Sequence, residues 1–358
     1  MKIIRITGII LAAAILFSGC NAGTGAAITT EASTTASEES TSDTSIAVTE
    51  ETTETETKHT YKFNRHLYSK KIGDIIPKEN YEALYNLIDA LCEGKDTFEC
   101  SGKDAYAWAT DDATLNNLFP VACMKVTSKS TDGSTPFENG VGRIYLKMSS
   151  EEFIQREKEY EAQIEEILNT CLEDDDDDFE KALKLYNYME STFTYGEVDA
   201  QSTGDGADYK AFQLKTGVCD NIASIYAYLL QQAGVEALNI GTYENNVCHA
   251  WTYAIIKGKS YHIDATWALK KSYETEDLYL DYFMMSDKRR TESGCPLNDV
   301  TAPLLPKFWA NYYENLDFKT ADDSFDGLKN SAFKRLDEVN KILYYTDYNG
   351  NEAQLSYA

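Results

Sequence analysis

Three side chains of the types used for nucleophilic catalysis follow one another along the chain: Cys219, His249 and Asp264. A cysteine thiolate can attack a carbonyl carbon, a histidine can take the thiol proton, and a carboxylate can fix the tautomer of that histidine. Cysteine is also among the residues most often buried, so Cys219 alone is better explained as a core thiol. A catalytic hypothesis therefore depends on the elements that hold the three residues.

The sequence around Cys219 predicts the start of a helix. Residues 221–233 are rich in Ala and Leu, and Gly234 ends them. The unsatisfied amides at a helix N-terminus favour a thiolate, and one of them can point at an oxyanion. The neighbouring Asp220 opposes thiolate formation, because its negative charge lies beside the sulfur.

The segment 247–264 reads as a β-hairpin with the two-residue turn Lys257-Gly258. In that register Trp251 faces Asp264, and His249 lies diagonally beside Asp264 on the same side of the sheet. The carboxylate would then reach the imidazole. A three-residue turn would place His249 and Asp264 on opposite faces.

Three motifs together resemble the transglutaminase-like superfamily, whose core is related to papain-like cysteine peptidases. They are Gly-Val-Cys at the head of a helix, His-Ala-Trp on a strand, and Asp-Ala-Thr-Trp from Asp264 onward; the resemblance covers about residues 179–267. It implies an α+β fold in which a helix carrying the cysteine packs on an antiparallel sheet carrying the histidine and aspartate. It also implies Cys219 as nucleophile, His249 as base and Asp264 as orienting acid.

Five further residues near these motifs are weaker candidates. Gln213 and Tyr209 precede Cys219 in the region from which such an enzyme can draw an oxyanion donor, yet either could simply pack or face water. Trp251 and Trp267 could line the acyl-group channel or belong to the core. His262 could be a second base or metal partner, although an ordinary strand residue explains it better.

No cofactor or metal site is predicted. The chain has four histidines, with neither a paired-cysteine nor a helical two-histidine zinc motif. Cys20 and Cys219 apart, six cysteines remain, and in an exported protein they could form disulfides in fifteen full pairings. The pair nearest in sequence is Cys92 with Cys100. These six are Cys92, Cys100, Cys123, Cys171, Cys248 and Cys295.

The N-terminus predicts export and lipid anchoring. A basic start, an apolar run at residues 6–17 and Ser18-Gly19-Cys20 resemble a bacterial lipoprotein signal, in which Cys20 is lipidated after residues 1–19 are removed. A plain secretory signal or an uncleaved anchor helix is the alternative. Residues 20–60 are Thr, Ser, Glu and Ala-rich, which predicts a disordered spacer rather than an adhesive tail.

Composition limits the partners of the folded part. Asp and Glu number 59 against 33 Lys and Arg, a formal net charge of −26, which disfavours nucleic acid and anionic lipid. Membrane contact is expected through the N-terminal lipid only. Hydrophobic residues make up 43% of the chain, which implies a folded core. We divide the folded part of the chain into an N-terminal region (61–175), a catalytic core (176–290) and a C-terminal extension (291–358).

Local patterns predict several further elements. Helices are expected over residues 78–93, 150–172, 179–191 and 328–339, and strands over 122–127, 142–148 and 342–345.

These predictions lead to one functional expectation and one alternative. We expect a surface-tethered, extracytoplasmic thiol enzyme that transfers acyl groups from peptide, protein or cell-wall amides, with hydrolysis slightly favoured over cross-linking. The alternative is a non-catalytic surface binding or adhesion module that keeps the same fold.

Overall fold

The structure is a computed structural model that describes residues 61–73, 75–130, 133–244, 247–272, 277–298, 300–303 and 317–358. Its helices are α1 (Lys70–Gly73), α2 (Lys78–Cys92), α3 (Lys103–Ala109), α4 (Asp112–Leu118), α5 (Ser150–Cys171), α6 (Asp178–Thr192), α7 (Ala207–Leu214), α8 (Cys219–Gln232), α9 (Ala265–Ser272) and α10 (Asp287–Glu292). Its strands are β1 (Thr97–Glu99), β2 (Val126–Thr127), β3 (Phe137–Glu138), β4 (Val141–Arg143), β5 (Tyr145–Leu146), β6 (Thr194–Tyr195), β7 (Thr216–Gly217), β8 (Glu236–Glu244), β9 (Val247–Ile256), β10 (Lys259–Ile263), β11 (Val300–Thr301), β12 (Ala332–Asp337), β13 (Ile342–Thr346) and β14 (Glu352–Ser356).

The centre of the fold is a four-stranded antiparallel sheet in the order β10-β9-β8-β11. Helix α8 packs on β8 and β9. The hydroxyl of Thr252 on β9 donates to the carbonyl of Ala223 on α8 at 2.9 Å, which fixes the helix against the strand. The α+β architecture that the sequence predicted is confirmed: a helix carrying the cysteine lies on an antiparallel sheet.

The hairpin register that the sequence predicted is confirmed. Ile256 pairs with Lys259, and the pairing continues to Thr252 with Ile263. Lys257 and Gly258 both have positive φ, 50° and 78°, as a two-residue hairpin turn of the type I′ class requires.

Helix α8 begins at Cys219, two residues before the predicted start. Val218 is extended, and its N–H donates to the side-chain oxygen of Asn221, which closes the helix N-terminus. On the far side of α8, the hydroxyl of Tyr226 donates to the Ala182 carbonyl of α6 at 2.8 Å. The helix is therefore held by the sheet on one side and by α6 on the other.

Three other predicted helices are confirmed. Helix α2 follows Pro77, and α5 begins after Ser149, whose hydroxyl accepts from the backbone of Glu152. At α6 the acidic run supplies Asp177 as N-cap, and Glu180 completes a capping box.

Two local predictions are wrong. Of residues 122–127 only Val126–Thr127 is a strand, because Pro120–Ala122 forms a 3₁₀ turn. Residues 332–337 form strand β12 of a β12-β13-β14 meander instead of helix, while the strand predicted at 342–345 is present. A register shift between Phe333 and Arg335 breaks the alternation that would have indicated a strand.

One buried apolar cluster runs from Leu67 to Tyr357, so the N-terminal region, the sheet and the meander share a core. The predicted boundaries at residues 175 and 290 stay predictions. The predicted signal, Cys20 and the spacer lie outside the described residues. Within the described ranges, every helix falls short of the length and apolarity needed to cross a bilayer.

Candidate active site

Cys219 is the first residue of α8 and is half-buried. Burial raises the pKa of its thiol, but a hydrogen bond with His249, the N–H of Ala250 and the charge of His249 outweigh burial. The net pKa of Cys219 therefore lies below its ordinary value, even though Asp220 opposes the shift. The thiol is set to ionise more readily than an isolated cysteine.

His249 lies on β9 and is 7% exposed. Its Nε2–H donates to Oδ2 of Asp264 at 2.7 Å, so Nδ1 is the nitrogen left for the thiol of Cys219. Burial lowers the pKa of the imidazole, whereas the charge of Asp264 and its hydrogen bond raise that pKa above its ordinary value. The imidazolium is thus stabilised beside the sulfur.

Asp264 connects the sheet to the next helix. It follows β10 directly, and its Oδ1 accepts from the backbone N–H of Trp267 at 3.0 Å, which caps the start of α9. It is fully buried. Burial raises the pKa of Asp264, but the charges of His249 and Arg290 lower it by more, so the net pKa lies below the ordinary range. The carboxylate is charged and fixed from both sides.

Arg290, which the sequence analysis missed, is the second partner of that carboxylate. Its Nη1 donates to Oδ2 of Asp264 at 2.9 Å, and its side chain is fully buried. The guanidinium lies 4.3 Å from the ring centroid of Trp251 and 4.5 Å from that of Trp267. A buried arginine needs an anion as partner. The pair Arg289-Arg290 in a chain rich in acidic residues was therefore the sequence feature that could have indicated a partner for Asp264.

The two tryptophans that the sequence offered as channel or core residues both lie against His249. Trp267 stacks on the imidazole of His249, with centroids 4.6 Å apart and planes at 15°. Trp251 is fully buried behind that histidine, which fits the core position that the sequence left open beside the channel position. The alternation along β9 that places His249 on the inner face also places Trp251 there, deeper in the core.

His262 has a fixed neutral form in the core. The indole N–H of Trp251 donates to its Nδ1 at 2.9 Å, so Nδ1 is an acceptor and Nε2 carries the proton toward Asp287 at 3.0 Å. Asp287 also accepts from the backbone and hydroxyl of Thr320. His262 therefore supports Trp251. Across the described ranges, His, Cys, Asp and Glu form no cluster of three that could hold a metal.

The two oxyanion candidates are engaged elsewhere. Gln213 is exposed and exchanges side-chain hydrogen bonds with Gln163 of α5. The ring of Tyr209 packs against Tyr160 and lies 3.6 Å below the guanidinium of Arg156. In the described part of the chain neither forms a hydrogen bond with the triad, whereas the N–H groups at the start of α8 belong to the same helical turn as Cys219.

The cysteines of the described residues are free thiols, so the possible disulfides do not form there. They are Cys92, Cys100, Cys123, Cys171, Cys219, Cys248 and Cys295.

A cleft of ≈ 340 Å³ opens beside the start of α8 and is lined in part by Asp112, Asp205, Asp220 and Asn239. The carboxylate of Asp205 is neutralised by two cations, whereas the Asp220 carboxylate accepts from the amide of Asn239 and has no ion pair with a cation of the described ranges. This cleft borders the first turn of α8, and Asp220 gives its wall there a negative charge.

A thiol on a helix N-terminus, facing a histidine on an antiparallel sheet, is the papain-like arrangement of acyl-transfer thiol enzymes. Residues 165–265 match the model of the Transglutaminase-like superfamily, a span that contains Cys219, His249 and Asp264. This segment of the chain is transglutaminase-like, as the three motifs predicted.

Among solved structures the chain is similar to "a Putative Cysteine Protease from Cytophaga hutchinsonii", with 21% sequence identity and a TM-score of 0.20. The similarity covers 24% of this chain and 30% of that one, so the chain spans under a third of that protein. No curated protein matches the chain.

Proposed function

We propose that this chain is a thiol-dependent acyl-transfer enzyme that acts on peptide or protein amides. One observation carries the proposal: the ring of His249 lowers the pKa of the Cys219 thiol on one side, and its Nε2–H donates to the Asp264 carboxylate at 2.7 Å on the other. The lowered pKa of Cys219 and the raised pKa of His249 support the same assignment, because together they favour a thiolate–imidazolium pair.

In the first half-reaction the thiolate of Cys219 attacks the carbonyl carbon of the substrate amide. The negative charge moves to the carbonyl oxygen, where N–H groups at the start of α8 can bind it. As the tetrahedral intermediate collapses, the C–N bond breaks and His249 Nδ1–H gives its proton to the leaving amine. The product is a thioester on Cys219, and His249 is left neutral.

In the second half-reaction His249 takes a proton from water, and the hydroxide oxygen attacks the thioester carbon. The C–S bond then breaks, which releases a carboxylic acid and restores the thiol. An amine in place of water gives a new amide and hence cross-linking. We favour hydrolysis, because Cys219 is half-buried rather than enclosed, so water can reach a thioester on its sulfur.

We further propose that the protein is lipid-anchored outside the cytoplasm through Cys20, since residues 1–20 have the pattern of a lipoprotein signal. Membrane fractionation of cells that express the full chain tests this, with intact-mass analysis of the purified product. Cys20→Ser should release the protein from membranes; unchanged membrane association would refute the anchor.

The catalytic proposal is tested by incubating the full chain with glutamine-containing peptides and cell-wall peptides, with and without an amine acceptor. Ammonia, cleaved peptide and conjugates are measured. Wild type should give products, Cys219→Ala should give none, and Cys248→Ala should behave as wild type, because the Cys248 thiol is exposed and adjacent to His249 only in sequence. If wild type and Cys219→Ala are equally inactive while the protein binds a surface ligand, the non-catalytic alternative holds. If conjugates exceed hydrolysis products, the preference for hydrolysis is wrong.

A further inference from the structure

Lys215 occupies a backbone position that favours glycine. It caps the end of α7 with φ 51° and ψ 38°, in the left-handed region that side-chain-bearing residues adopt only rarely. Glycine would adopt this conformation without strain, so we look to the side chain of Lys215 for a role that glycine could not fill.

The ammonium group of Lys215 lies against aromatic rings and forms no ion pair with a described carboxylate. It lies 3.6 Å from the ring centroid of Phe212 and 5.3 Å from that of Phe193. The structure gives it no ion pair with any described carboxylate, although the chain has 59 acidic residues against 33 basic ones. Burial lowers the pKa of Lys215 to about 8, and no carboxylate offsets that effect. A bound anion at this position would give the Lys215 ammonium group an ion-pair partner.

Lys215 lines a cavity of ≈ 350 Å³ between α5, α6 and the end of α7. The paired amides of Gln163 and Gln213 and the side chain of Thr170 give its walls hydrogen-bonding groups. Glu166 of α5 also lines the cavity and is exposed, and it forms no ion pair with the described cations. One uncompensated cation and one uncompensated anion thus share a space large enough for an amino-acid residue.

The cavity is connected to the nucleophile by the backbone. Lys215 leads through β7 to Cys219, and four residues of extended chain span at most about 14 Å. Strand β7 pairs in parallel with β6, whose Tyr195 is close enough to Cys219 for the two to interact electrostatically. A peptide of about four extended residues can therefore reach from the thiol to the cavity.

We propose that this cavity is a subsite for the C-terminal residue of a peptide substrate, whose free carboxylate pairs with Lys215. Glu166 then favours a positively charged side chain on that residue and disfavours an acidic one. This inference rests on the proposed function for its peptide substrate, but binding at the subsite does not require the chemistry to occur.

The test measures binding to full-length Cys219→Ala protein, which cannot form a thioester. The probes are N-acetylated tetrapeptides ending in lysine, one with a free C-terminal carboxylate and one with a C-terminal amide, titrated calorimetrically at low ionic strength. The free carboxylate should bind at least tenfold more tightly. Lys215→Met should abolish that preference, Lys215→Arg should keep it, and Lys210→Met on the same helix should leave it unchanged.

Three further measurements keep the proposal falsifiable. Glu166→Gln should reduce the preference for a terminal lysine over a terminal glutamate. ¹³C-dimethyl-lysine NMR should show the Lys215 signal shifting with the carboxylate peptide and not with the amide, even where Lys215→Met is less stable. Equal binding of the two peptides, or a preference that survives Lys215→Met, overturns the subsite. A preference without turnover in wild type would instead refute the proposed function and leave the subsite standing.

Discussion

Arg290 donates from Nη1 to the same Oδ2 of Asp264 that accepts the Nε2–H of His249, at 2.9 and 2.7 Å. The carboxylate is thus shared between a permanent cation and the ring of the candidate base. Because Asp264 and Arg290 are both fully buried, removal of either charge leaves the other without its partner in the core. Orientation of the base and stability of the fold depend on one pair.

Asp264→Asn should lower the rate of acyl transfer by roughly 10⁴-fold, because an amide favours the wrong tautomer of the histidine. Since Asp264 raises the pKa of His249, its loss should also move the alkaline limb of the pH–rate profile to lower pH. Steady-state kinetics across pH check both results. A variant with wild-type rate and profile would remove Asp264 from the mechanism.

The same substitution should destabilise the fold by about 3–5 kcal/mol, since it strands the Arg290 guanidinium. Asp264→Asn combined with Arg290→Met removes both charges and should recover part of this loss, although not the activity. Urea unfolding of the two single variants and the double variant gives the coupling free energy. Additive single effects would show that the buried pair is not a unit.

Arg290→Met should shift the alkaline limb in the opposite direction to Asp264→Asn. The charge of Arg290 lowers the pKa of His249, so its removal should raise that limb to higher pH. Arg290→Lys keeps the charge but loses the planar contact with the rings of Trp251 and Trp267, so it should keep the limb and lose stability. Equal shifts for Met and Lys would show that Arg290 acts through packing alone.

Cys219 should be the most rapidly alkylated described thiol near neutral pH. Its pKa is lowered, whereas burial raises the pKa values of Cys92 and Cys123. Asp220→Asn should extend alkylation of Cys219 to lower pH, because Asp220 raises the pKa of that thiol. Iodoacetamide labelling at graded pH, mapped by mass spectrometry, measures both effects, and Cys248→Ala controls for the exposed thiol next to His249. Faster labelling of Cys92 or Cys123 would contradict the assignment.

The sequence predicted those parts of the site that local geometry determines. A two-residue turn at Lys257-Gly258 sets the hairpin register, and that register brings Asp264 to the side of His249. Helix propensity and the following Gly234 placed Cys219 at a helix N-terminus. In each case a few neighbouring residues decide the backbone, and the side chains follow.

The rest depends on packing between distant segments. Arg290 reaches Asp264 from α10, beyond a stretch whose described residues 277–286 contain no helix, so no periodicity relates the two. Trp251 lies on the same face of the sheet as His249. His262 and Arg290, which come from other segments, pack against the Trp251 ring and make it a core residue rather than a channel residue. Strand β12 forms because β13 pairs with it, across a bulge that hides its alternation.

His262→Gln should make the folded state less sensitive to mild acid. Burial lowers the pKa of His262, with Arg290 adding to this and Asp287 opposing it. The unfolded chain therefore binds more protons at this residue once the pH falls below the ordinary histidine pKa of 6.5, and stability drops from there through the lower folded pKa.

Glutamine can accept from the Trp251 N–H and donate to Asp287 without titrating, so the variant should lose less stability than wild type between pH 7 and 5. Urea unfolding at the two pH values measures the difference. His249→Gln is the opposite control: the pKa of His249 is raised, its stabilising contribution is present at low pH, and its removal should deepen the acid loss. Identical acid sensitivity of wild type and His262→Gln would mean that His262 is already protonated in the fold, in conflict with its Nδ1 accepting the indole N–H.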